Sequence, residues 1–368
     1  MEDLKYKIAV TLLPGIGSVR TRAILGQLKS LEAFFTERES ALLRIPGIGK
    51  HLATRSVRKK ALEQAEKEQA FIEQNHLRVF WFLDEDYPAR LKQCEDAPVL
   101  LYMQGEADLS TSRVLSIVGT RHATPYGIDH CNSILEELAA SHPGLLIVSG
   151  LAYGIDVCAH KAALKHGLPT VAVLGHGLHM IYPASHRRVA GEIVRQGALL
   201  TEYSTFHTPD KKNFIARNRI IAGLADATLV VESGEKGGAL ITADLANSYN
   251  RDVFALPGRA GDEWSQGCNN LIKKNMAALV ENAADLAWFL GWEMKNSPAQ
   301  AVQKELFLSL GEEEQLLLDI LKEQKELPLD ELAVLAGIPV SKTSALLLNL
   351  EFAGMVKNLP GNIYRWTS

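Results

Sequence analysis

The chain has 368 residues, of which 47% are apolar and 22% charged, with a formal net charge of −4. That is the make-up of an ordinary globular chain too long for a single hydrophobic core, and its mild acidity excludes a general cationic coat for nucleic acid. The four cysteines show no CxxC pair and no apolar run approaches the roughly 18 residues of a membrane span, so a reducing cytoplasm is expected, with no disulfide framework, structural zinc or membrane partner.

Residues 1–75 read as a helical, helix-hairpin-helix (SAM-like) domain. They hold a near-repeat, Leu13-Pro14-Gly15-Ile16-Gly17 and Ile45-Pro46-Gly47-Ile48-Gly49, each followed by a helical pattern (Val19 to Leu28, His51 to Lys60). The glycines let each hairpin come close to a partner, and the N–H groups opening the next helix can hold a phosphate. Lys50, Arg55, Arg58, Lys59 and Lys60 flank the second copy. Such hairpins also serve simply to pack helices, so the two roles stand side by side.

Residues 84–290 alternate strands with helices. Val114 to Gly119, Leu145 to Gly150, Thr170 to Gly175, Leu199 to Tyr203, Thr228 to Ser233 and Asp252 to Gly258 are unbroken apolar runs, as in strands covered on both faces of a parallel sheet. Helical patterns at 128–140, 155–166 and 239–249 complete βαβ units, which makes this an α/β, extended Rossmann-like core. A polar stretch places a linker at 291–308. Residues 309–368 read as a winged helix, with helices at 312–324, 329–336 and 341–352 (the last capped by Ser341) and a closing hairpin around Pro360-Gly361. Its third helix has one cation, Lys342, which favours an auxiliary role over sequence-specific DNA reading.

Ligands of open parallel sheets lie beyond the carboxyl ends of the strands, where this chain gathers its glycines. The loop Gly119-Thr120-Arg121 opens a helix and can cradle a phosphate with its amides, the Thr120 hydroxyl and the Arg121 guanidinium. It has neither the dinucleotide G-x-G-x-x-G order nor a P-loop lysine, so no nucleotide cofactor is expected. The loop 149–156 carries Gly150 and Gly154; Asp156 suits the first turn of the next helix, His160 reads as a packing residue, and Lys161 can reach the rim. Lys211, Lys212, Arg217 and Arg219 place four cations within nine residues, around Phe214 and Asn218. Such cations need an anionic partner, and loss of Arg217 should lower the salt slope of single-strand binding by roughly 0.7. Phe214 is either a core residue or a ring on which a base stacks. Gly237 and Gly238 follow the next strand, whose Glu232 can orient an arginine or read a base edge. His176 and His179 suggest a metal, but a third ligand is not evident. No catalytic pair stands out.

Taken together, residues 114–275 resemble the DprA/Smf family of DNA-processing proteins. The resemblance rests on Ile117-Val118-Gly119-Thr120-Arg121, Ser149-Gly150-Leu151-Ala152-Tyr153-Gly154-Ile155-Asp156 with Ala159-His160, Tyr182-Pro183, Arg217-Asn218-Arg219-Ile220-Ile221-Ala222-Gly223, Gly237-Gly238-Ala239-Leu240-Ile241-Thr242-Ala243 and Leu256-Pro257-Gly258. It implies a non-enzymatic, sequence-independent single-stranded DNA binder that protects incoming strands in natural transformation. It further implies loading of the RecA recombinase past single-strand-binding protein, and a homodimer formed through the Rossmann-like domain. The contacts it implies fall on Gly119, Arg121, Gly150, Lys211, Phe214, Arg217, Asn218, Arg219, Gly237 and Gly238. The chain departs from the family pattern at Tyr153, Ile215, His179 and His186. Two rival readings are a nucleotide phosphoribohydrolase-like enzyme on a related sheet and a transcriptional regulator acting through the winged helix.

Overall fold

The structure, a computed structural model, describes residues 2–292, 311–352, 355–359 and 362–366. The chain divides into two compact units, 1–297 and 298–368. The first is built on a nine-stranded sheet of β1 (Arg78–Trp81), β2 (Leu100–Gly105), β3 (Val114–Val118), β4 (Leu146–Ser149), β5 (Thr170–Val173), β6 (Ala198–Thr201), β7 (Ala227–Val230), β8 (Asp252–Ala255) and β9 (Ala278–Leu279). Their spatial order is β1-β2-β6-β5-β4-β3-β7-β8-β9. β2 pairs antiparallel with β1 and β6, while all pairs from β6 to β9 are parallel.

Every residue of β3, β4, β5, β6 and β7 is buried, because helices cover both faces. That is why these strands are apolar runs without alternation. The polar exceptions are satisfied inside the sheet: Ser116 Oγ donates to Thr228 Oγ1 of the neighbouring strand at 2.7 Å, and Ser149 Oγ donates to the Ile117 carbonyl at 2.6 Å. All six expected strands are present, each shorter at its carboxyl end because the terminal residues leave the ladder to form rim loops. β1, β2 and β9 are additions. The first two pair antiparallel outside any βαβ unit, and the third has only two residues, so none carries the pattern that marks the others. β1 also begins before residue 84, where the sheet domain was expected to open.

The chain order reverses at the centre of the sheet. β3 continues through the helix Pro125–Ser141 to β4 on one side, and its other neighbour, β7, continues through the helix Gly238–Ser248 to β8 on the other. The loops leaving β3 and β7 therefore diverge and open a crevice at their carboxyl ends.

The N-terminal helices run through Glu2–Thr11, Ser18–Leu28, Leu31–Thr36, Glu39–Leu42, Lys50–Ala53 and Arg55–Gln74. Gly15 and Gly47 turn the two hairpins at φ of 72° and 82°, a conformation that only glycine adopts freely. Ile8, Leu13 and Phe34 share one hydrophobic core with Leu101 and Met103 of β2. Glu68 also ties the helices to the sheet, accepting from the Thr205 amide at 2.9 Å and its hydroxyl at 2.5 Å. Burial raises the Glu68 pKa, with the Thr205 bonds pulling the other way. Arg58, expected among the cations of the second hairpin, is instead 2% exposed. It donates to the carbonyls of Ala53 at 3.0 Å and Phe34 at 2.8 Å, so it braces the helices and offers no surface charge.

The second unit has helices Glu312–Gln324, Leu329–Ala336 and Val340–Phe352 with a sheet of β10 (Glu326–Pro328), β11 (Val356–Leu359) and β12 (Ile363–Trp366) in the order β10-β12-β11. Leu317, Leu321, Leu332, Leu347 and Leu350 form its core. This is a winged helix. Its third helix begins at Val340, so Ser341 lies inside the first turn and does not cap it. Lys342 is paired with Glu313 at 2.7 Å. The turn at Pro360-Gly361 and, from residue 293 onward, the expected linker at 291–308 lie outside the described residues.

Candidate nucleic-acid interface

The rim loops after β3, β4 and β7 are interlocked. The Thr120 amide donates to the Glu232 carbonyl at 2.7 Å, and the Thr120 carbonyl accepts from the Ile155 amide at 3.1 Å. The Thr120 hydroxyl accepts from the His122 amide at 3.1 Å, which folds the loop back on itself. Gly154 sits at φ 76°, and a Cβ there would lie 2.1 Å from the Thr120 carbonyl oxygen. A Cβ at Gly119 would meet the Ile155 side chain at 2.5 Å, and one at Gly150 would meet the Arg217 guanidinium at 2.5 Å. These three glycines are required by packing within the rim itself. Gly237 and Gly238 differ: both are exposed, where the helix Gly238–Ser248 opens without a side-chain cap.

Glu232 is 3% exposed and accepts from the Thr124 amide at 2.9 Å and its hydroxyl at 2.5 Å. It holds the start of the helix Pro125–Ser141 and neither orients an arginine nor reads a base. Asp156 is buried and accepts from the Gly150 amide at 3.2 Å. Burial raises its pKa, opposed chiefly by the charge of Arg217.

Arg217 borders the crevice with its guanidinium committed inward. It is 4% exposed and donates to the Gly150 carbonyl at 2.7 Å, to the Val173 carbonyl and to Asn218 Oδ1 at 3.2 Å. Burial brings its pKa down to about 10, with Asp156 opposing. Its Nε and Nη1 donors are thus spent bracing the rim, while the residue also lines the cleft. Asn218 continues the chain of bonds, donating to the Gly238 carbonyl at 3.3 Å. Arg219 does not join this group. Its guanidinium pairs with Glu202 at 2.5 Å in a different cleft, which Glu95, Asp96 and the first hairpin line. The helix Lys211–Leu224 sends neighbouring arginines to different surfaces because successive residues turn by about 100°.

What faces the crevice is a cleft of about 800 Å³ lined by Gly119, Thr120, Arg121, His122, Asp156, Tyr182, Lys211, Phe214, Arg217, Asn218, Lys236, Gly237, Gly238 and Trp264. Arg121, Lys211 and Lys236 are exposed there. The half-buried Phe214 packs against Gly175, where a Cβ would lie 2.7 Å from its ring, and its centroid is 5.5 Å from that of Tyr182. Lys161 is exposed on its helix but does not line the cleft. Lys236, Tyr182, His122 and Trp264 join the site without having been singled out by the sequence reading. Three of them adjoin or lie within motifs that were; Trp264 lies just past the Leu256-Pro257-Gly258 motif and outside every motif named from the sequence.

His160 is a core residue, as its sequence context suggested. Thr170 Oγ1 donates to the Ile147 carbonyl at 3.0 Å, so its lone pair receives His160 Nδ1–H at 2.8 Å. Nε2 is then left unprotonated, buried and unpartnered, and burial above all brings the pKa down to about 3. His176 donates from Nδ1 to the Gly177 carbonyl at 3.0 Å and accepts the Tyr182 amide on Nε2 at 3.2 Å, which leaves it no lone pair for a metal. Among the described residues no three His, Cys, Asp or Glu side chains are grouped as metal ligands would be. Tyr153 stands edge-on to His186 at 5.0 Å, outside the cleft.

Residues 78–291 match the profile of the family described as DNA recombination-mediator protein A, and residues 298–362 match that of the DprA winged helix domain. Protein Smf of Synechocystis is 33% identical over 98% of this chain and 98% of its own. DNA processing protein DprA of Streptococcus pneumoniae is 41% identical over 56% of this chain and 72% of its own. The X-ray structure of the pneumococcal protein superposes with a TM-score of 0.65 at 32% identity, covering 77% of this chain and 97% of that one. DNA processing protein A of Helicobacter pylori, whose structure was described for its single-stranded DNA binding mode, superposes with a TM-score of 0.53 at 32% identity over 58% and 95% of the two chains.

Proposed function

The chain belongs to the DNA recombination-mediator protein A (DprA/Smf) family, and from that membership we propose that it grips single-stranded DNA, without sequence preference, in the cleft at the β3/β7 crevice. One observation carries the reading: exposed Arg121, Lys211 and Lys236 and the uncapped helix start at Gly237 surround a half-buried aromatic ring, Phe214, in a single cleft. Cations and free amides suit phosphates, and a ring accepts any base. In this reading Gly119, Thr120, Gly150, Gly154, Arg217 and Asn218 shape the rim, while Arg121, Lys211, Phe214, Gly237 and Gly238 touch the strand.

The action in this reading is binding rather than catalysis: the carboxylate that lines the cleft, Asp156, is engaged with the Gly150 amide, and Glu232 behind the loop is engaged with the Thr124 amide. The biological role that follows is protection of incoming strands and loading of the RecA recombinase past single-strand-binding protein in the cytoplasm. Family likeness supports that role. A homodimer is part of the proposal, and the adjoining rings of Phe289 and Trp288, with centroids 4.8 Å apart and the latter 76% exposed, suit a second copy. Trp288→Glu should convert a dimer to a monomer in light scattering; an unchanged mass would remove this surface from the interface.

Anisotropy titrations of labelled oligo-dT and duplex across a salt series test the binding. Lys211→Ala should lower the salt slope by roughly 0.7, the single-strand value for one phosphate. Phe214→Leu should weaken binding about tenfold whatever the sequence, since stacking contributes roughly 1–3 kcal/mol per base. Equal affinity for duplex and single strand, or an unaltered slope, would overturn the assignment.

A further inference from the structure

We propose that Trp264 and His122 form a second base-stacking platform, so that the cleft holds at least two unpaired nucleotides with the intervening phosphate on Arg121 and Lys236. The inference rests on the single-strand reading above and extends it to a residue outside every motif that identified the chain.

Trp264 and His122 are stacked, with ring centroids 5.0 Å apart and planes 25° from parallel. Both line the same cleft as Phe214. Among the described residues, Trp264 belongs to none of the hydrophobic clusters of the first unit, although burying a tryptophan is among the larger gains a core can make. It is held in place nonetheless. Its carbonyl accepts the Ser233 amide at 2.7 Å, and a Cβ on Gly234 would lie 3.4 Å from its ring. Trp264 is half-buried and His122 exposed, so the stacked pair, held by the backbone beside a cationic cleft, offers a π-face that needs little ordering when a base lands on it. His122 follows Arg121 directly, and Lys236 stands on the loop that Gly234 begins, so cations flank the stacked pair. Trp264 also walls a second cavity of about 860 Å³ that Tyr126 and Arg259 line. A strand that passes Trp264 therefore meets a further ring and a further cation, and its course runs across the divide between the two cavities.

The test compares Trp264→Phe with Trp264→Leu, two smaller side chains close to each other in size that differ in π-face, on the full chain with labelled oligo-dT from about 4 to about 16 nucleotides, the range of single-strand site sizes. Equal thermal midpoints confirm that both variants are folded. The leucine variant should lose about tenfold on the longer oligomers and little on the shortest, while the phenylalanine variant stays within about twofold of the parent. If the two variants behave alike, or if the loss is the same at every length, the second platform is overturned. A parent protein that binds no oligo-dT refutes the single-strand reading itself. A parent that binds, with Phe214→Leu weakened and Trp264→Leu silent, refutes only this inference.

Discussion

Arg217→Ala is expected to destabilise the first unit by about 3–5 kcal/mol, the usual cost of removing one member of a buried charged network. The substitution deletes the donor to the Gly150 and Val173 carbonyls and to Asn218, and it strips the buried Asp156 of the cation that most favours its charge. A urea titration followed by far-ultraviolet dichroism should show the midpoint falling with little change in slope. Arg217→Lys should recover only part of the loss, because an ammonium cannot present the planar fork that reaches three acceptors. In a folded Arg217→Lys protein the salt slope of single-strand binding should match the parent if this side chain braces the rim, as proposed, and leaves the phosphates to Arg121 and Lys211. An unchanged urea midpoint for the alanine variant would show that Arg217 does not brace the rim. A reduced salt slope in the lysine variant would return the residue to the ligand set.

The second large effect is acid lability through His160. Its folded pKa of about 3 lies below the ordinary value of 6.5. The neutral ring therefore contributes stability that is fully present above pH 6.5 and is lost as pH falls toward 3. Between neutrality and pH 4.5 this one group should remove roughly 2–3 kcal/mol, at about 1.4 kcal/mol per pH unit. The physical cause is plain: protonation puts an N–H on Nε2, which is buried with no acceptor, beside the charge of Arg217. His160→Asn keeps a donor for Thr170 and cannot titrate. It should lower stability at neutral pH, where a cavity is left, and flatten the acid limb relative to the parent. Parallel acid limbs in the two proteins would show that His160 is not the group responsible.

Much of this protein is legible without coordinates. The runs at β3 to β8 read as strands because they are short, mostly end in glycine and have no polar side to alternate with, and the spaced helical patterns between them favour parallel βαβ units. Those two facts put the glycine-rich loops at one edge and, with the cationic helix Lys211–Leu224, point to an anionic ligand there. The two hairpins and the winged helix were readable for the same reason, since Pro-Gly turns and helical periods are local signals. β1, β2 and β9 were not, because the first two pair antiparallel outside any βαβ unit and the third has only two residues.

Side-chain direction was likewise decided only by tertiary structure. Arg217 and Arg219 stand two places apart and look alike as cations, yet one braces the Gly150 loop and the other pairs with Glu202 in a separate cleft. Glu232, read as able to orient an arginine or meet a base edge, instead anchors the Thr124 loop, while Asp156, read as a first-turn carboxylate, also accepts from the Gly150 amide. Gly119, Gly150 and Gly154, read as room for a ligand, are room for Ile155, Arg217 and Thr120. Trp264 reaches the cleft from a segment with no motif, because the reversal of strand order between β3 and β7 folds distant loops over one crevice. Sequence therefore determined which chemistry gathers at the rim. Which groups face the strand and which are spent holding the rim together depended on packing, because a charged side chain takes whichever partner, internal or external, the fold brings within reach.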